Sequence, residues 1–389
     1  MKKLLIVNNN LKVGGVQKSL YNLLWSLEGD YDITLCLFKN IGDYSEKLPK
    51  SVKVTETKGL FRYLGVSQSE VKGLDGIKRA ILAAVSRMLG RKFTLKLLLL
   101  GEKMHDDNYD CAISFLHNGK DKSFYGFVQD YVIHRVKADR KIAFLHCDYR
   151  NCGANNSYNN ELLKRFDKIA ACSDGCREAF LSVLPEMESR CVTVKNFHRY
   201  EEIRRLANEQ TVEYKNDCVN LLTVARLSHE KGIDRAIKAF AKAIENGIAA
   251  KLHIVGDGAK RNELEELVKT LGLTDSVVFY GEQSNPYRFM KNADLLLLTS
   301  YHEAAPMVID EARSLGLPIL STSTTSSQDM ILDSECGWVC DNSQDKLNTM
   351  LVELTKNIDT VKMLKKSLAD KKVNNDEARL QFDNAIILL

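Results

Sequence analysis

The chain has almost no surplus charge of either sign: 55 Lys and Arg stand against 51 Asp and Glu, a net of +4. An electrostatic partner must then be read by a local patch rather than by the whole surface, which disfavours a dedicated nucleic-acid binder. Long apolar runs are missing as well. Stretches such as Leu97–Leu100 and Leu295–Leu298 fall far short of the ~20 residues that a membrane-spanning helix needs. The apolar start Leu4–Val7, behind Met1-Lys2-Lys3, is too short for the core of a secretory signal. A cytoplasmic protein is expected, and its ten scattered cysteines should stay reduced rather than form a disulfide framework. Cys147, Cys152, Cys172 and Cys176 have spacings faintly like a zinc site. Cys172 closes an apolar run and Cys176 falls on the helix after it, however, which favours buried thiols over a metal.

What is present is a core. With 389 residues and 44% hydrophobic content, the chain has material for two or three domains. Short apolar runs alternate with helical periodicity: 4–8, 33–38, 52–55, 111–116, 142–146, 169–172 and 192–194. Between the first two runs, Leu20, Leu23, Leu24 and Leu27 share one helical face. This is the pattern of a parallel, doubly wound sheet, with sites at the strand C-terminal ends. The pattern lapses in a charged stretch after Phe197 and resumes at 221–225, 252–255, 277–280, 295–298, 319–321 and 338–339. The expected organisation is a first domain over 1–200, a linker over 201–217 and a second domain over 218–372. Two tandem α/β domains of this kind are expected to face a cleft.

Several strand ends carry residues suited to a diphosphate. Gly14-Gly15 leads from the first strand into a helix, where backbone N–H groups can approach an anion. After the strand at 221–225, Arg226 and Lys231-Gly232 place two cations beside a helix start. Gly256-Asp257-Gly258 closes the next strand in a tight turn that lacks the third glycine of a dinucleotide fingerprint. The sharpest signal follows 295–298: Ser300-Tyr301-His302-Glu303-Ala304-Ala305-Pro306-Met307-Val308-Ile309-Asp310-Glu311. Pro306 suits a first helical turn. Glu303 then falls in the loop, and Glu311 lies about one and a half turns into the helix, placed to accept hydrogen bonds from ribose hydroxyls. Taken alone, Glu311 could equally be a helix-surface acid.

Together these motifs, with Gly281 after the strand at 277–280, resemble the retaining glycosyltransferases of family 4, which have the GT-B fold. The resemblance runs along nearly the whole chain and is most specific between Leu221 and Pro318. It implies two Rossmann-like doubly wound domains with C-terminal helices, the helix over 373–389 returning to the first domain. It implies that the second domain holds a nucleotide-diphosphate sugar, expected to be UDP-linked, with no cofactor and no metal. Arg226 and Lys231 would meet the diphosphate, Glu311 the ribose and Glu303 the donor sugar, with Gly14, Gly15, Gly256, Gly258, Ala305 and Met307 completing the donor site. His146, closing the run at 142–146, stands where the family often has a histidine facing the transferred sugar. Ser173 and Asn196, at neighbouring strand ends, are second-rank candidates. The family commonly has glycine and then an aromatic residue or leucine after the first glutamate, where this chain has Ala304 and Ala305.

The Asp30-Tyr31-Asp32 triplet has the form of a metal-binding pair in other sugar transferases, but it precedes the second strand and reads as a surface turn. Fixed cations and N–H dipoles would instead stabilise the leaving diphosphate. A sugar-nucleotide epimerase of the same architecture and a catalytically silent nucleotide-sugar-binding subunit are the alternatives. The resemblance implies that the first domain receives the acceptor, expected to be a saccharide, lipid-linked or soluble, in cell-surface polysaccharide synthesis. One segment bears on that choice. Between Lys58 and Lys103, ten basic residues stand against three acidic ones, and Ile77, Ile81, Ala84, Val85 and Met88 share a helical face. Such a segment either packs its apolar face on the sheet or attaches to an anionic membrane surface, here the inner face of the plasma membrane.

Overall fold

A computed structural model describes residues 1–105, 107–214 and 217–386. The last three residues of the expected C-terminal helix and two residues of the expected linker lie outside that description. The chain divides into two compact units, one of Met1–Phe197 with the residues from Asn375 onward, the other of His198–Asn374.

The first unit is built on a seven-stranded parallel sheet. Its strands are β1 (Lys2–Asn8), β2 (Tyr31–Leu37), β3 (Lys53–Glu56), β4 (Asn108–Ser114), β5 (Lys137–Leu145), β6 (Lys168–Ala171) and β7 (Cys191–Thr193). The spatial order is β3-β2-β1-β4-β5-β6-β7, so the winding reverses between β1 and β4. Successive residues enter opposite layers: Leu5 and Val7 join one buried cluster, Leu4 and Ile6 the other. Both faces are covered, which is why these strands read as apolar runs rather than as alternations.

The second unit holds β8 (Val219–Val224), β9 (Ala250–Val255), β10 (Val277–Gly281), β11 (Leu295–Leu298), β12 (Ile319–Thr322) and β13 (Gly337–Cys340). Their order is β10-β9-β8-β11-β12-β13, with the reversal between β8 and β11. Leu295 and Leu297 face one core cluster, Leu296 and Leu298 the other.

Two regions differ from the sequence reading. The charged stretch expected as a linker opens with a helix, Tyr200–Asn208, that belongs to the second unit. Tyr200, Ile203 and Ala207 are its buried face and join the core around Phe289 and Leu296; the charges that hid it, Glu201, Glu202, Arg204 and Arg205, lie on its other sides. The basic segment contains the 27-residue helix Gly73–Leu99, broken at Gly90 with φ 73°. Leu82 and Ser86 turn inward, whereas Leu74, Ile77, Ile81, Met88, Leu89 and Phe93 are exposed, Ile77 by 58% and Met88 by 76%. The apolar face marked out by the sequence therefore points away from the sheet. Arg91 departs from the basic face altogether: it is buried, 3.5 Å from Asp130, with its guanidinium 3.8 Å over the Phe127 ring.

The helix Asp376–Ile386 packs into the first unit through Ala378, Phe382, Ala385 and Ile386. It also accounts for the Asp30-Tyr31-Asp32 triplet. Arg379 Nη1 donates to Asp30 Oδ2 at 2.7 Å, and the Tyr31 hydroxyl donates to Asp383 Oδ1 at 2.7 Å. Among the described residues no helix is long and apolar enough to cross a membrane.

Candidate functional site

In doubly wound sheets, ligands bind beyond the strand C-termini where the winding reverses. In the second unit that point lies between β8 and β11, and the motif residues gather there. Lys231, in the short turn after β8, places its ammonium 2.5 Å from Glu303 Oε1 in the loop after β11. The Ser300 hydroxyl donates to the same carboxylate oxygen at 2.7 Å. The Tyr301 amide donates to Glu230 O at 3.0 Å, and His229 stacks on the Tyr301 ring at 5.1 Å. The two loops are thus joined by side chain, backbone and ring contacts across the reversal.

Arg226 stands at the rim. Its side chain is 71% exposed and, among the described residues, pairs with Glu230 at 3.2 Å. Surface pairs of this kind contribute little, so the guanidinium is available to an incoming anion. Gly232 opens the helix Ile233–Glu245 at φ 59°, and a Cβ there would meet Thr299 O at 2.2 Å. Gly256 is set by the same logic, at φ 134° with Ala225 O 1.9 Å from where a Cβ would sit. The Ala225 and Leu227 amides donate across to Val255 O and Asp257 O at 3.1 and 2.9 Å. Gly256 and Gly258 therefore first serve the close approach of two backbones. Gly258 N–H donates to Asp257 Oδ1 at 2.7 Å, and that bond, with Arg261, holds the Asp257 carboxyl below its usual range.

The helix Met307–Ser314 follows, with Pro306 just before its first residue. Glu311 is not a surface acid: it is 3% exposed, and Met307 is buried beside it in the same helix. Asp310 fixes the helix from the other side, 3.3 Å from His198 Nε2 and 3.0 Å from Arg313 Nη2. Ala305 lies in the half-buried loop between, where the Ser326 hydroxyl donates to Ala304 O. Sequence reasoning passed over Ser300, Ser326 and Asn342, the last of which ties Tyr301 O and Ser323 O at 3.1 and 3.0 Å. Ser300 stood next to the strand and in the motif; Asn342 had no local signal, being brought in from after β13.

The first-unit candidates are dispersed along their own sheet edge. Gly14 and Gly15 open the helix Gly15–Ser26, with no side chain capping its first turn, and Gly15 faces open space. His146, directly after β5, packs against the Phe115 ring at 4.7 Å, tilted to it, and stacks on Phe144 at 6.0 Å. Burial pushes its imidazole down to about 3, with His117 adding to the effect, so it is neutral at ordinary pH. Ser173 caps the helix Asp174–Leu181 by accepting from the Cys176 amide at 3.0 Å. Asn196 Oδ1 accepts from the Ser19 hydroxyl at 2.7 Å. The last two thus have structural work that explains their positions. Among the described residues, no cluster of three or more His, Cys, Asp or Glu could hold a metal ion.

Comparison with known proteins shows what this arrangement is similar to. The sequence model for glycosyl transferases group 1 matches residues 207–369, the stretch that contains every second-unit residue above apart from His198. Over that stretch the second unit is similar to the group 1 glycosyl transferases. An uncharacterized glycosyltransferase of Methanocaldococcus jannaschii is 31% identical over 166 residues, 42% of this chain and 40% of that protein. The lipopolysaccharide glucosyltransferase WaaG of Escherichia coli is 36% identical over 133 residues, 34% of this chain and 36% of WaaG. The chain thus matches less than half the length of these curated relatives. The crystal structure of Anabaena HepE in complex with UDP superposes with a TM-score of 0.66 at 18% identity, covering 99% of both chains. The fold is GT-B.

Proposed function

We propose that this chain transfers a sugar from a nucleotide-diphosphate sugar, UDP-linked, to a saccharide acceptor with retention of anomeric configuration. The observation that carries the reading is the Lys231–Glu303 contact across the β8–β11 reversal, with the exposed Arg226 at its rim. An ammonium and a guanidinium at one strand edge match a diphosphate, whose charge grows as it leaves, and such fixed countercharge lowers the barrier without a metal. In the reaction the bond from the anomeric carbon to the phosphate oxygen breaks. The bond to the acceptor oxygen forms on the same face, and the acceptor hydroxyl proton passes to the departing phosphate. No carboxylate is assigned as a nucleophile. Glu303 is assigned to the donor sugar, Glu311 to the ribose, and His146 to the reaction as a neutral hydrogen-bonding imidazole rather than a cation.

The acceptor, in this reading, is lipid-linked, and the enzyme works at an anionic membrane surface. Support comes from the helix Gly73–Leu99, where Leu74, Ile77, Ile81 and Met88 are exposed at spacings of three, four and seven, flanked by exposed Lys78, Arg87, Lys92 and Lys96. Apolar side chains can enter the acyl boundary while the cations meet lipid phosphates. Nuclear magnetic resonance of the first-formed product tests the chemistry. An anomeric configuration matching the donor is expected; inversion, or epimerised free nucleotide sugar with no transfer, would overturn it.

A further inference from the structure

The four cysteines that sequence spacing brought forward do come together, at the adjoining C-terminal ends of β5 and β6, and the functional site leaves them unused. Cys147 follows His146 directly, and Cys152 closes the next turn, whose amides at Asn151 and Cys152 donate to Asp148 O at 3.1 and 2.9 Å. The sulfurs of Cys147 and Cys152 are 3.3 Å apart. Those of Cys172 and Cys176, at the start of the next helix, are 3.8 Å apart. None of the four is in a disulfide.

The two pairs differ in access. Cys147, Cys172 and Cys176 are buried, whereas Cys152 is half-buried. The contact between the two sulfurs and the Ala154 amide lower the pKa of Cys152, while the same contact and burial push Cys147 well up. Cys152, the half-buried member of the pair, is the sulfur that an oxidant from solvent reaches first. A reachable sulfur 3.3 Å from a buried partner thiol is the arrangement that turns a peroxide into a disulfide.

We propose that Cys147 and Cys152 form a modification site at which a hydroperoxide closes an intramolecular disulfide across the turn that follows His146. The Cys152 sulfur attacks a peroxide oxygen and the O–O bond breaks, leaving a sulfenic acid on Cys152; the released hydroxide takes the Cys147 proton as water. The Cys147 thiolate then attacks the Cys152 sulfur. The S–S bond forms, the S–O bond breaks, and the second hydroxide leaves, becoming water with the proton that Cys152 released when it attacked the peroxide. Two thiols give up two electrons and one hydrogen peroxide becomes two waters, so no other reactant is required. Cys172 and Cys176, 3.8 Å apart and both buried, provide an internal comparison.

The test exposes the purified full chain to hydrogen peroxide, counts its thiols and maps cross-linked peptides by mass spectrometry. The wild type should lose two thiols and gain a Cys147–Cys152 cross-link that dithiothreitol reverses. Cys152→Ser should keep its remaining thiols over the same interval. Cys147→Ser should stop at a sulfenic acid on Cys152, which dimedone traps. Thiol loss in Cys152→Ser equal to that of the wild type would overturn the assignment. So would a cross-link confined to Cys172–Cys176, or an unreacted wild type at a peroxide dose that oxidises free glutathione completely.

Discussion

At the scale of single residues, the site is a set of side chains whose roles follow from what each touches. Glu303 is held twice over, by Lys231 and by Ser300, so its carboxylate is oriented before any donor arrives. Glu311 is buried within the helix Met307–Ser314, and this separates two effects of mutation. In the proposed reading Glu311→Ala removes an acceptor for the ribose hydroxyls and also empties buried volume, whereas Glu311→Gln keeps the shape and loses only the charge. Calorimetry of UDP binding should show a loss of about 1.5 to 3 kcal/mol for the alanine variant and a smaller one for glutamine. Unchanged affinity in both would place Glu311 outside the pocket. The motif residues were legible because their chemistry is local: cations at a helix start, acids bracketing Pro306. Ser173 and Asn196 were legible only as strand-end polar residues, and position alone does not separate a helix cap from a ligand contact. Asn342 was not legible, because it reaches Tyr301 and Ser323 from a distant point in the sequence.

At the scale of elements, the strand pattern was readable because two-sided burial makes each strand a bare apolar run. Helices were harder. In Tyr200–Asn208 only three inward residues mark the helix amid charges, and in Gly73–Leu99 the more apolar stripe is the one turned outward. Periodicity reports that a face is apolar and leaves open what covers it. The outward stripe gives a direct expectation. At about 1 kcal/mol per basic residue near an anionic surface, reversing Lys78, Arg87, Lys92 and Lys96 to Glu should abolish co-sedimentation with anionic vesicles at low salt. Arg91 is excluded from such a set because its ion pair with Asp130 is buried, and breaking it would damage the fold rather than report on lipid. Equal sedimentation with neutral and anionic vesicles, or indifference to the four reversals, would favour a soluble acceptor.

At the scale of the whole molecule, the two units share an architecture but carry different buried polar groups, and one of these ties stability to pH. In the second unit, His253 Nε2 lies 3.2 Å from Asn220 Oδ1, and its Nδ1 lies 3.0 Å from the Tyr280 hydroxyl. Because the Asn220 oxygen can only accept, Nε2 carries the proton and Nδ1 receives the tyrosine O–H, which specifies the neutral tautomer. Burial pushes the His253 imidazole down from its ordinary 6.5 to about 4. A depressed value means that the unfolded chain takes up a proton first. The associated stability is therefore intact above about 6.5 and is lost as pH falls towards about 4. Urea midpoints measured across that window should fall more steeply for the wild type than for His253→Gln; parallel curves would remove His253 as the cause.

The central claim is that the β8–β11 reversal of the second unit receives a nucleoside diphosphate bearing a sugar. Melting temperatures measured with a panel of nucleotide sugars test it most directly, because a ligand that binds the folded state raises the midpoint by mass action. A UDP-sugar should raise the melting temperature of the wild type. The same compound should give a markedly smaller rise with Lys231→Ala, whose melting temperature without ligand stays close to that of the wild type. No rise with any nucleotide sugar, or an undiminished rise in the Lys231→Ala variant, would contradict the account.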